Sequence, residues 1–80
     1  MHAIQYRREN LREVQRFTHW QLIWNADEGA VLICPVSGRE YRVSDGDWIL
    51  KDGALTRLSD PLFRLLYVQT SGGAVRLRSA

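Results

Sequence analysis

Few residues in this chain could do chemistry, and each of them reads more simply as structure. Asp45-Gly46-Asp47 begins like a calcium loop, but the third acidic position and the closing Glu that complete the coordination shell are missing. A turn with solvated carboxylates accounts for it. Cys34 is the single cysteine, so it forms no intrachain disulfide or cysteine zinc site. It lies in Val31-Leu32-Ile33-Cys34-Pro35, the setting of a buried structural thiol. His2 and His19 have no helical i, i+4 partner, and His19 beside Trp20 reads as packing or surface. Ser37-Gly38, Ser44-Asp45 and Ser71-Gly72-Gly73 lack the strand-turn-helix context of a nucleophile elbow or a phosphate loop. With no paired carboxylates and no nucleophile-base set, the expectation is a non-enzymatic protein without metal or cofactor.

One combination carries binding chemistry. Ten of the eleven basic residues are Arg, and Lys51 is the lone Lys. Arg suits bidentate contact with phosphate or carboxylate and stacks on aromatic rings. Trp20, Trp24, Tyr41 and Trp48 fall on expected strands together with Arg39, Arg42 and Arg57. Aromatic faces that stack bases beside guanidiniums that hold phosphate make a nucleotide-binding surface. Alternatively, Trp48 and Arg57 form a cross-strand structural pair, worth ~0.5–1 kcal/mol when exposed. The formal charge of +2 is too small to point to a dedicated nucleic-acid binder.

The elements that must position these residues are legible from turn and cap signals. Ala3-Ile4-Gln5-Tyr6 alternates as a first strand, and Asn10-Leu11-Arg12-Glu13 reads as a capped helix start that buries Leu11, Val14 and Phe17. His19–Trp24 is a strand, Asn25–Gly29 a turn, and Ala30–Pro35 a buried central strand. Arg39–Val43 completes a hairpin around Ser37-Gly38, with Cys34 opposite Tyr41 and Leu32 opposite Val43. Asp52-Gly53 then closes a hairpin over Gly46–Leu58. A two-residue turn places Leu50 opposite Leu55, Ile49 opposite Thr56 and Trp48 opposite Arg57. Trp48 and Arg57 thereby share an outer face, while Ile49 and Leu58 face a following helix. Ser59-Asp60-Pro61 starts that helix, with Leu62, Phe63, Leu65 and Leu66 on its buried side. Tyr67–Thr70 returns as a strand. Ala74–Arg78, after the break at Ser71-Gly72-Gly73, is a frayed tail or an arm that adds a strand to its own or a partner's sheet.

The sum is a β-α-β-β-β-β-β-α-β order: α+β, a small antiparallel sheet or partial barrel with two short helices. Residues 1–70 form one compact domain and 71–80 a flexible tail or oligomerisation arm. No secretory signal region opens the chain, and no apolar run approaches the ~20 residues of a membrane span. A cytoplasmic protein that does not enter membranes is expected.

Four segments together resemble a widespread family of small bacteriophage-encoded proteins, mostly of unknown function. They are Ala3-Ile4-Gln5-Tyr6, Asn10-Leu11-Arg12-Glu13-Val14, Gly46-Asp47-Trp48-Ile49-Leu50-Lys51, and Phe63 with Tyr67 four residues later. They match in order the family's Ala-Ile-Gln-aromatic strand, Asn-(Ile/Leu)-x-Glu-Val helix start, Gly-Asp-(Tyr/Trp)-Ile-Ile-Lys hairpin and Phe-bearing last helix. The likeness spans residues 3–69. The hairpin loop is about two residues shorter than is usual there, and Asp60-Pro61-Leu62-Phe63 stands where the family has Pro-Asp-Ile-Phe. The resemblance implies a phage accessory protein in the cytoplasm of the infected bacterium, acting against host immunity by binding. It implies first an oligomeric sponge that sequesters a cyclic oligonucleotide or similar second messenger. Arg39, Arg42, Trp48 and Arg57 would then contact the ligand, with Arg76 and Arg78 from a neighbour's tail. The alternatives are an inhibitor of a host defence protein such as a CRISPR complex, and a small nucleic-acid-binding module.

Overall fold

The first strand is the one on which the last closes. The computed structural model describes residues 1–78, and the final residues of the expected tail, Ser79 and Ala80, lie outside the described part. The order is β1 (His2–Gln5), a 3-10 turn at Arg8–Asn10, α1 (Leu11–Thr18), β2 (Gln21–Asn25), β3 (Gly29–Ile33), β4 (Glu40–Val43), β5 (Trp48–Asp52), β6 (Ala54–Leu58), α2 (Asp60–Leu66), β7 (Tyr67–Ser71) and β8 (Ala74–Leu77). The expected α+β class is found, as two open antiparallel sheets: β6-β5-β1-β8-β7 and β2-β3-β4. Residues 74–77 are therefore not a loose tail. They form a strand of their own chain's sheet, pairing with β7 and with β1 at His2–Ala74.

Alternation along the five-stranded sheet feeds two cores. One face sends Ile49 against Tyr6, Val14, Leu22, Ala30, Leu32 and Val43, so the smaller sheet and α1 cover that side. The other face sends Ala3, Trp48, Leu50 and Val75 against Phe63 of α2. Cover on both faces explains why β5 opens with three consecutive buried apolar residues, Trp48, Ile49 and Leu50.

Two strand registers and one helix cap differ from the sequence expectation. In the β5–β6 hairpin the pairs are Leu50–Thr56, Ile49–Arg57 and Trp48–Leu58, a slip of one residue. Gly53 sits at the apex with φ 75° while Asp52 and Ala54 already pair, so the loop is not the two-residue turn assumed. A one-residue slip turns every side chain of one strand to the other face. Arg57 consequently joins Ile49's face, and Leu58 joins Trp48's. The β3–β4 hairpin slips by two, pairing Leu32 with Tyr41 and Ala30 with Val43, which leaves the faces as expected. Asn10 does not cap α1 through its side chain; its Oδ1 accepts the Arg7 N–H and its Nδ2 donates to the Gln5 carbonyl, closing the turn before the helix.

α2 also departs from expectation. The Ser59 hydroxyl accepts the Leu62 N–H and Pro61 lies in the first turn, as the sequence signals. Only Phe63 of its apolar residues is buried, however; Leu62, Leu65 and Leu66 are exposed. Among its apolar side chains, Phe63 anchors the helix to the sheet by packing on Trp48.

Candidate functional site

Trp48 opens β5 and is held from several sides. The Trp48 ring lies flat on Phe63, with centroids 3.9 Å apart and planes 6° from parallel. Phe63 stacks in turn on Tyr67 at 5.5 Å. The Trp48 Nε1–H donates to Asp60 Oδ1 at 2.8 Å, and Asp60 also accepts from Arg64 Nε and Gln5 Nε2. These hydrogen bonds, that from Trp48 first and that from Arg64 second, hold the Asp60 carboxyl below its ordinary range. Trp48 is 4% exposed and offers no free face. Its expected role as a platform for a ligand ring is therefore corrected, as is its pairing with Arg57.

Arg57 instead bonds Asp47 at 3.2 Å, and the same Asp47 oxygen accepts the Ser44 N–H. Asp47 is buried rather than solvated, while Asp45 binds Arg7 and the Arg8 N–H. Both carboxylates of the calcium-like turn thus fasten backbone. Cys34 is only partly buried and lies just past β3. Hydrogen bonds from Ser37, by side chain and then backbone, lower its pKa. Among the described residues no group of three His, Cys, Asp or Glu side chains could hold a metal ion.

The six expected ligand residues do not form one site. Arg39 precedes β4, where its carbonyl accepts the Cys34 N–H. Arg42 points away from the inter-sheet core and pairs with Glu28 at 3.5 Å. Arg57 borders a small apolar recess of about 50 Å³ with Trp20 and Tyr41, which stack at 5.8 Å. Arg76 alternates with Val75 and so leaves the α2 face. Trp48 and Arg78 are brought together.

Their meeting place is a depression of about 230 Å³ at the α2–β7 junction, lined by Trp48, Phe63, Arg64, Tyr67, Val68, Gln69 and Arg78. Arg78 Nε donates to the Arg64 carbonyl at 2.7 Å, and the Arg78 N–H to Leu66. Arg64 commits its Nε to Asp60. The terminal guanidinium nitrogens of both arginines have no hydrogen-bond acceptor among the described residues. Planar guanidinium forks suit bidentate contact with phosphate or carboxylate. Arg64 was not singled out by sequence reasoning. Its signal was the Asp60–Arg64 i, i+4 spacing, which fixes the guanidinium by its inner nitrogen.

A second surface escaped the sequence reading. Arg12, Arg16, His19 and Trp20 line an open depression of about 650 Å³ on the flank of α1. His19 ends that helix in the left-handed region, φ 61°, the one such non-glycine residue among those described.

Comparison of the chain with family models, with curated proteins and with solved structures gives no match. No helix among the described residues is long and apolar enough to cross a membrane.

Proposed function

We propose that this chain is a non-enzymatic binding protein that holds a phosphate-bearing nucleotide signal, of the cyclic oligonucleotide type, in the α2–β7 depression. The observation that carries this reading is the convergence of Arg64 and Arg78, each with uncommitted terminal nitrogens, beside Tyr67 and Gln69. Phosphate is held by the guanidiniums and the half-buried Tyr67 is the ring a base can reach, since Trp48 and Phe63 are enclosed. The phage resemblance supplies the setting: sequestration of a host immune messenger in the cytoplasm of an infected bacterium.

Calorimetry against cyclic di- and trinucleotides, with mass spectrometry of a heat-released extract, tests the reading. A bound nucleotide is expected, and Arg78→Gln should weaken it by at least about tenfold, the loss of a charge-assisted hydrogen bond. Absence of both binding heat and released nucleotide overturns it. Arg12 and Arg16 on α1, with His19 just past its end, support a second reading, a nucleic-acid-binding module. That reading predicts mobility shifts that weaken steeply with salt and are lost in Arg12→Gln/Arg16→Gln.

A further inference from the structure

We infer that the cleft between the Tyr6–Arg8 segment, the β2–β3 hairpin and the turn after β4 is a second binding site, which takes a small monocarboxylic acid with an apolar body. The observation that carries it is the Tyr6 hydroxyl. Tyr6 is 2% exposed, with its ring packed in the inter-sheet core. Its backbone is fixed by the Tyr6 N–H to the Asp47 carbonyl at 2.7 Å and the Gly46 N–H to the Tyr6 carbonyl at 2.8 Å. The hydroxyl has no hydrogen-bond partner among the described residues. No fully enclosed side-chain polar atom there lacks a partner, so this hydroxyl opens onto the depression of about 340 Å³ that Tyr6 lines. Side chains buried to this degree ordinarily pair their polar atoms within the protein. The volume lies at the lower end of small-molecule sites.

Charge selects the ligand. The Arg8 guanidinium lies 4.0 Å over the Trp24 ring, and its nitrogens have no acceptor among the described residues. Stacking uses the face of a guanidinium and leaves free the N–H groups in its plane, the fork that fits a carboxylate. The other charged groups of the lining are already paired. Asp45 binds Arg7 at 3.3 Å and accepts the Arg8 N–H at 3.0 Å, and Glu28 binds Arg42 at 3.5 Å. One positive charge is left for one negative charge on the ligand. A dianion such as phosphate would bring its second charge against the Glu28 and Asp45 carboxylates, a repulsive element that sets specificity. Burial first, and the Asp45 carboxylate second, push the Tyr6 phenol above its ordinary pKa against the pull of Arg8. At neutral pH it therefore keeps its proton and donates to a carboxylate oxygen. Ala30 and Val43, both buried, and the exposed part of Trp24 give the apolar body a surface to cover.

Amide NMR of the full chain titrated with phenylacetate, and in parallel with benzyl alcohol and inorganic phosphate, tests the inference. Phenylacetate should give saturable shifts at Arg8, Gly29 and Ser44. Benzyl alcohol, which lacks the charge, and phosphate, which carries too much, should each bind at least about tenfold more weakly. Arg8→Gln and Tyr6→Phe should each weaken phenylacetate by about tenfold, the loss of a hydrogen bond to a charged group. Tyr6→Phe removes a hydroxyl that has no partner in the protein, so the melting temperature should not fall. The inference is overturned by the absence of saturable shifts at millimolar phenylacetate, or by shifts confined to α2 and β7. Binding indifferent to either substitution, phosphate binding as tightly as phenylacetate, or a lowered melting temperature in Tyr6→Phe overturns it equally. Tyr6 and Phe63 belong to cores on opposite faces of the five-stranded sheet, so failure here is separate from failure of the nucleotide reading.

Discussion

Trp48 shows how one side chain can look functional in sequence and prove structural. An indole on a strand with an arginine expected opposite has the composition of a stacking site, yet both its polar and its apolar parts are already used. The Nε1–H is satisfied by Asp60 and the ring by Phe63. Trp48→Ala should therefore cost about 3–5 kcal/mol, a large part of the stability of any small domain. Its expected signature is loss of the cooperative urea transition, not a folded protein that has merely lost ligand. Asp60 adds a pH dependence whose sign follows from its depressed pKa. The unfolded carboxyl takes up its proton near the ordinary value of 3.8 and the folded one only at lower pH. The stabilisation is thus complete above the unfolded value and lost as pH falls through the folded one. Urea midpoints measured from pH 6 down to pH 2 should fall more steeply for the wild type than for Asp60→Asn, which lacks that titration.

At the scale of elements, the starts of strands and helices were legible and their pairings were not. Ser59-Asp60-Pro61 marked α2, and Asp52-Gly53 marked the hairpin, because cap and turn chemistry is local. Register is decided by which loop geometry lets both faces of β5 pack. With Ile49 committed to one core and Trp48 to the other, the hairpin pairs one residue away from the two-residue turn. That slip moved Arg57 from Trp48 to Asp47 and dissolved part of the expected site. The exposed leucines of α2 were misplaced for a related reason: helical periodicity names an apolar stripe but not whether the chain itself covers it. The corrected register is open to a double-mutant cycle. Asp47 and Arg57 should couple by about 0.5–1 kcal/mol, modest because Arg57 is half-exposed, whereas Trp48 and Arg57 should show coupling near zero. Denaturant unfolding of Asp47→Ala, Arg57→Ala, a milder Trp48→Phe and the corresponding doubles measures both terms. Equal coupling in the two cycles would restore the original pairing.

In the whole molecule, the five-stranded sheet is the shared wall of two cores, and β1 is its middle strand. The alternation of Ala74–Arg78 allowed a strand added to the chain's own sheet but did not name β1 as its neighbour, since pairing between distant segments leaves no mark in periodicity. β8 is held to β1 by the Ala3 N–H to Gly73 and the Val75 N–H to Met1, at 2.9 and 3.0 Å, and Val75 is buried against the α2 core. A flexible tail could be removed without consequence; this segment should not be. Ending the chain at Ser71 exposes one edge of β1 and uncovers Phe63, so the truncated protein should lose its cooperative thermal transition. Val75→Ala is the gentler probe, costing about 2 kcal/mol for two buried carbons and the cavity they leave. In a domain of this size that lowers Tm by roughly 8–16 °C. Because both cores rest on β1 and β5, the loss should spread beyond the α2 side. Hydrogen exchange in Val75→Ala should show amides of β1, β5 and β3 losing protection by similar factors. Loss confined to β7, β8 and α2 would show that the two cores open separately, and that the shared sheet does not couple them.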